Sequence, residues 1–318
     1  MKKFIIRSLL FAAIVTIVIG GVCVAEIVAE VKAYRQEVVV PRGSSIVLCG
    51  DSQLGNAVDP SVCPQFFNFS AHGRTLDQAY LTMLDVLDAK ENAGRVKKVV
   101  FDISPASLTW LAGRPAGDLD FSGKYFLIYL LHWNEAKKIR RMDGWLGVAR
   151  DNLVGRRLRL FWRTVRGKGE FRSSLYGSFT PKDEALLVDN PKNFAATVNL
   201  KLGHANGFER VVPGTGAFLV LDRVVEAART RSIELVFATT PWHEDLVNAC
   251  GMERIGAFER RMQEYAASHG CRYVNLMHCE FPPEAWMDAN HLNAAGARMF
   301  TPMLLNAVRR EAASFNGR

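Results

Sequence analysis

The chain opens on a positive tip, Met1-Lys2-Lys3, and then runs apolar from residue 4 to residue 25 with Arg7 as the one charge. The apolar stretch from Ser8 onward approaches the roughly 20 residues that cross a bilayer as a helix, which predicts a membrane anchor. A cleaved secretory signal is the competing reading, with Cys23-Val24-Ala25 offering small residues for cleavage. Either way the lysines hold the tip in the cytoplasm and send the rest of the chain across the inner membrane. The residues before Cys23 lack the Leu-x-Gly/Ala look of a lipidation box. Residues 26–35 mix charges with Ala and Val, predicting that the helix continues as a short stalk until Pro41-Arg42-Gly43 breaks it. Residues 1–35 are thus expected to be anchor and stalk.

From residue 44 the pattern changes. Short apolar runs of strand length recur at 46–49, 65–69, 97–103, 233–238 and 272–276. Between them lie amphipathic stretches at 76–89, 214–231 and 255–268, the first with Leu76, Ala79, Tyr80, Met83, Leu84 and Leu87 at helical spacing. Asn293 is placed to cap a closing helix that runs to residue 313. Alternating strands and helices predict a three-layer α/β domain over residues 44–313, with a five-stranded, mainly parallel sheet. Residues 113–213 are too long for a plain crossover and are expected to be an insertion. Within it, 125–133 is densely apolar but too short to span a membrane. Residues 156–166 mix Arg with aromatics, suiting either a small helical subdomain or a membrane-interface surface. Residues 183–207, rich in Asn, Lys and Pro, are expected to be loop and one wall of an acceptor groove.

Composition narrows the partners. Lys plus Arg number 40 against 32 acidic residues, and the net charge of +8 suits phospholipid headgroups or an acidic polymer. No nucleic-acid-binding motif accompanies the charge, so nucleic acid is not expected. Six cysteines in an exported chain allow disulfides whose pairing stays open, although Cys250 and Cys271 flank one helix and are poorly placed to meet. No Cys-x-x-Cys or clustered His/Cys spacing suggests a metal, and neither metal nor cofactor is expected.

The candidate chemistry begins where the first strand stops, at Gly50-Asp51-Ser52. A buried parallel strand delivers Ser52 to the carboxyl end of the sheet, where open α/β sheets keep their ligands. A serine hydroxyl needs a base to become a nucleophile. Asp288-Ala289-Asn290-His291 supplies one, with a carboxylate three residues before the imidazole on the same face of a helix or turn. Asp51 and Ser104, with Trp242 and His243 at the end of the fourth strand, are further candidates for substrate contact. His278 lacks a carboxylate three residues earlier and is expected to be a loop residue, as is His72.

Gly50-Asp51-Ser52 near the start of the domain and Asp288-x-x-His291 near its end resemble the SGNH (GDSL-type) hydrolase superfamily. The resemblance implies a flavodoxin-like parallel sheet and a serine acyl-enzyme. It also implies that Gly73, in Asn68-Phe69-Ser70-Ala71-His72-Gly73, joins Ser52 in offering a backbone N–H to the oxyanion. The chain departs from the family where esterases carry Gly-x-Asn-Asp: here the strand ends in Ile103-Ser104-Pro105. That ending, the N-terminal anchor and Asp-x-x-His-Leu-Asn are similar to a branch of extracytoplasmic acyl-transfer proteins, which includes the D-alanine transfer protein of lipoteichoic acid synthesis and, more loosely, alginate acetylation proteins. Such proteins work beside a membrane-bound O-acyltransferase, so the resemblance implies that partner and a cell-envelope polymer or glycan as acceptor. Two other readings remain open: a periplasmic carbohydrate or lipid esterase, and a non-catalytic assembly subunit of an acyltransferase complex.

Overall fold

The computed structural model describes residues 2–112, 126–139 and 185–310. Helix α1 (Lys2–Glu37) carries the N-terminal apolar run and is, among the described residues, the helix long and apolar enough to cross a membrane. Its first half exposes Phe4, Leu9, Phe11 and Ile17. Its second half does not stand free as the expected stalk. Cys23, Glu30 and Tyr34 fall on one face and are buried, and the Tyr34 hydroxyl donates to the Asp85 carboxylate.

Strand β1 (Ile46–Cys49) leads through α2 (Ser52–Ala57) to β2 (Phe66–Asn68), and α3 (Leu76–Asp88) leads to β3 (Lys98–Asp102). Helices α4 (Pro105–Ala112), α5 (Phe126–Leu131), α6 (Trp133–Ile139), α7 (Leu186–Asp189) and α8 (Pro191–Ala205) follow. Then come α9 (Gly216–Thr230), β4 (Glu234–Thr239), α10 (Glu244–Cys250), α11 (Met252–Ser268) and β5 (Arg272–Asn275). The hairpin β6 (Trp286–Asp288) and β7 (His291–Leu292) precedes α12 (Ala294–Arg309).

The five main strands are all parallel, in the order β2-β1-β3-β4-β5. β1 is buried at every position and the helices cover both faces, which is why its run reads as continuous Ile-Val-Leu-Cys rather than an alternation. The strand order reverses between β1 and β3, and open α/β sheets bind ligands beyond the strand ends at such a point. Asn293 caps α12, accepting from the N–H groups of Ala295 and Gly296.

The stretch expected as loop at 183–207 is, from residue 185 on, mostly helical. Asn190 accepts from the Asn193 N–H and Pro191 fills the first turn, where a missing N–H costs nothing. Phe194, Val198, Leu202 and Ala205 then form the inward stripe, while the Asn and Lys residues that suggested a loop largely occupy the outer face. The apolar stretch expected at 125–133 forms, from residue 126 on, α5 and the start of α6, and the reading on 156–166 lies outside the described residues. All six cysteines are described and none forms a disulfide.

Candidate active site

Ser52 is the first residue of α2, three residues beyond the end of β1. A Cβ on Gly50 would lie 2.5 Å from the Asp102 Cβ, so the turn between strand and helix has room only for glycine. Asp51 caps the helix by accepting from the Gln53 N–H at 2.7 Å. Gln53 is buried and locks the far side: Trp242 Nε1 donates to its Oε1 at 2.8 Å, and its Nε2 donates to Ser104 Oγ at 3.3 Å. The serine turn therefore rests on a polar network that joins the ends of β1, β3 and β4.

The tight β6–β7 hairpin brings His291 to that turn. Ser52 Oγ lies 2.8 Å from His291 Nε2, and His291 Nδ1 lies 2.8 Å from both Asp288 oxygens. A carboxylate can only accept, so the imidazole proton sits on Nδ1 and Nε2 accepts from the serine hydroxyl. The Asn290 N–H donates to Asp288 at 3.0 Å, and Lys201 Nζ stands 3.6 Å away. Burial pushes the Asp288 carboxyl up, but the His291 hydrogen bonds and charge, helped by Lys201 and the Asn290 N–H, outweigh it and bring the group down to about 2. Ser52 and His291 are both nearly inaccessible, at 8% and 2%. Water therefore competes little for their hydrogen bond.

These groups open into a cavity of about 190 Å³ lined by Asp51, Ser52, Gly73, Arg74, Lys201 and His291, among others. Gly73 has φ +70°, which suits glycine, and among the described residues no acceptor takes its N–H or that of Ser52. The turn is braced from α3 and α5, since Tyr129 donates to Asp77 and accepts from Gln78, whose own Oε1 accepts the Thr75 N–H. Arg74 is buried; its Nη1 donates to the Phe69 carbonyl, while Nε and Nη2 have no acceptor among the described residues.

The sequence matches no protein-family model and no curated protein. Among solved structures, a "putative acylhydrolase" from Bacteroides fragilis aligns over 86% of this chain and 92% of its own, at 10% identity and a TM-score of 0.39. A "putative platelet activating factor" from Streptococcus pneumonia aligns over 92% of this chain and 98% of its own, at 14% identity and a TM-score of 0.39. The reading of the site rests on its own geometry.

Of the residues expected at the site, the structure brings Ser52, Asp288 and His291 into one hydrogen-bonded line and places Gly73 and Asp51 in the same cavity. Ser104 and Trp242 do not line this cavity: both are buried and hydrogen-bonded to Gln53. His243 faces another cavity, packed between Phe194 and Trp286 with centroids 4.8 and 5.3 Å away, and its Nδ1 accepts the Asp245 N–H. The expected loop residue His278 is bonded to Glu259 at 2.6 Å, away from Ser52. Sequence reasoning missed α8. Thr197, Lys201 and His204 lie on one face of it: the first accepts the Ala289 N–H, the second faces Asp288, and the third lines the cavity. Their i, i+4, i+7 spacing was the available signal, readable only once the segment is taken as helix.

Proposed function

We propose that this protein is a membrane-anchored serine acyl-transfer enzyme of the SGNH type, whose domain faces the outside of the inner membrane. The observation that carries the reading is the 2.8 Å contact from Ser52 Oγ to His291 Nε2, with Asp288 on the opposite ring nitrogen, at the mouth of a small cavity. His291 takes the Ser52 proton as Oγ attacks the carbonyl of an ester or thioester. The Ser52 and Gly73 N–H groups receive the oxyanion, and the leaving alcohol or thiol departs with the proton from His291. An acceptor hydroxyl then gives its proton to His291 and attacks the acyl-serine, and Ser52 leaves with that proton.

The acceptor proposed is a hydroxyl of a cell-envelope polymer or glycan, with a membrane-bound O-acyltransferase as the source of acyl groups. The apolar half of α1 and the positive tip support a place at the membrane, and the cations Arg74 and Lys201 in the cavity lining suit an acceptor that carries negative charge. With water as acceptor the same groups make an esterase. Mass spectrometry of envelope glycans and lipids from cells carrying wild type, Ser52→Ala or His291→Ala, at matched protein levels, separates the two. Loss of an acyl substituent in both variants is the expected result. Accumulation marks an esterase, and no change overturns both for those polymers. Fluorophosphonate labelling of Ser52 distinguishes either enzyme from a non-catalytic assembly subunit, which should not react.

A further inference from the structure

Behind the serine turn a buried acid lies against one that lines the cavity. Asp102 ends β3 with its Cβ against the Gly50 backbone, is 2% exposed, and neither of its carboxyl oxygens receives a donor among the described residues. Its side chain meets that of Asp51, the residue that caps α2 and lines the cavity. The titratable and charged groups facing the pair are Lys201 from α8 and His291 from β7, both acting on Asp51, and the Tyr273 phenol from β5, which senses Asp102. Among the described residues, no cation touches Asp102.

A carboxylate has no hydrogen to donate, so with Asp102 shielded from water, two ionised carboxylates in contact repel each other. One proton between them converts repulsion into a charge-assisted hydrogen bond. We propose that Asp51 and Asp102 share one proton, and that Asp102 is a positioning residue whose carboxyl O–H donates to Asp51 and so holds the turn that carries Ser52. The asymmetry of the surroundings decides where the proton resides. Burial raises both groups, but the Gln53 N–H, His291 and Lys201 draw Asp51 back toward ionisation, whereas burial and the Asp51 charge together push Asp102 well above the ordinary carboxylate range. Asp51 then caps α2 as a carboxylate, accepting from the Gln53 N–H at 2.7 Å.

The proton itself is read without any activity. Full-length wild type in detergent micelles at neutral pH should show the infrared carbonyl stretch of a protonated carboxylic acid, and Asp102→Asn should lose it. A difference spectrum without that band overturns the pair. The positioning role rests on the proposed nucleophile and is read from the rate of Ser52 labelling by a fluorophosphonate as a function of pH. Asp102→Asn keeps a donor and should label within about threefold of wild type, while losing the alkaline fall that ionisation of Asp102 causes. Asp102→Ala, without the donor, should label about 10- to 100-fold more slowly, the equivalent of one hydrogen bond to a charged group. Equal rates for the Asn and Ala variants, or an alkaline limb unchanged in Asp102→Asn, overturn the positioning role. A wild type that never labels overturns the serine enzyme instead, and the infrared band still decides the shared proton.

Discussion

Asp288 shows how one side chain links stability to chemistry. Its carboxyl is held near 2 against an ordinary 3.8, so it stabilises the fold above its unfolded value and loses that contribution as pH falls from about 4 toward about 2. The contribution is about 2 kcal/mol. Asp288→Asn should therefore be less stable than wild type at neutral pH, and the gap should close below about pH 3 in denaturant titrations. Gly50 makes a steric counterpart. Gly50→Ala drives a methyl into Asp102 and should cost about 1–3 kcal/mol, a loss partly recovered in a Gly50→Ala/Asp102→Gly double variant. Independent effects, adding without recovery, would show that the close approach is not what excludes a side chain there.

At the scale of elements, α8 and the β6–β7 hairpin complete a site that β1 and α2 only begin. Lys201 stands 3.6 Å from Asp288 with both side chains mostly shielded, so Lys201→Met should raise the acid midpoint of Asp288. It should also slow Ser52 labelling about two- to fivefold, the worth of a partly exposed ion pair. A labelling rate equal to wild type would mean that α8 walls the cavity without tuning it. The helix was hidden in the sequence because its Asn, Lys and Pro residues look like loop chemistry. Asn190 and Pro191 are start signals, and the stripe from Phe194 to Ala205 needs a partner surface before it means burial. The hairpin was hidden for another reason. Its two short strands pair only with each other, and no periodicity of length two or three is distinguishable from a turn.

For the whole molecule, the decisive feature is that the second half of α1 packs into the domain while its apolar first half stays exposed. Tyr34 is buried in the same core as β1 and α3, and its hydroxyl reaches Asp85, which also holds His132 at 2.8 Å. Tyr34→Ala in the full chain should cost about 3 kcal/mol in denaturant unfolding in micelles, whereas Phe11→Ala, on the exposed apolar half, should leave the domain's stability unchanged. Equal stability of Tyr34→Ala and wild type would return residues 26–35 to the role of a free spacer.

The strands, the amphipathic helices and the apolar N-terminus were legible in the sequence because each is written in local period: continuous apolar runs for buried parallel strands, helical spacing for one-sided burial. The hydrogen-bonded line of Ser52, Asp288 and His291 was legible because a serine after a strand and a carboxylate three residues before a histidine are local patterns too. What only the tertiary structure decided is which groups meet across long sequence distances. Trp242 and Ser104 turned away to hold Gln53, Lys201 came in beside Asp288, and Asp102 was pressed against Gly50 and Asp51. Contacts of that kind depend on the packing of strand ends and crossing helices, and packing leaves no period in the chain.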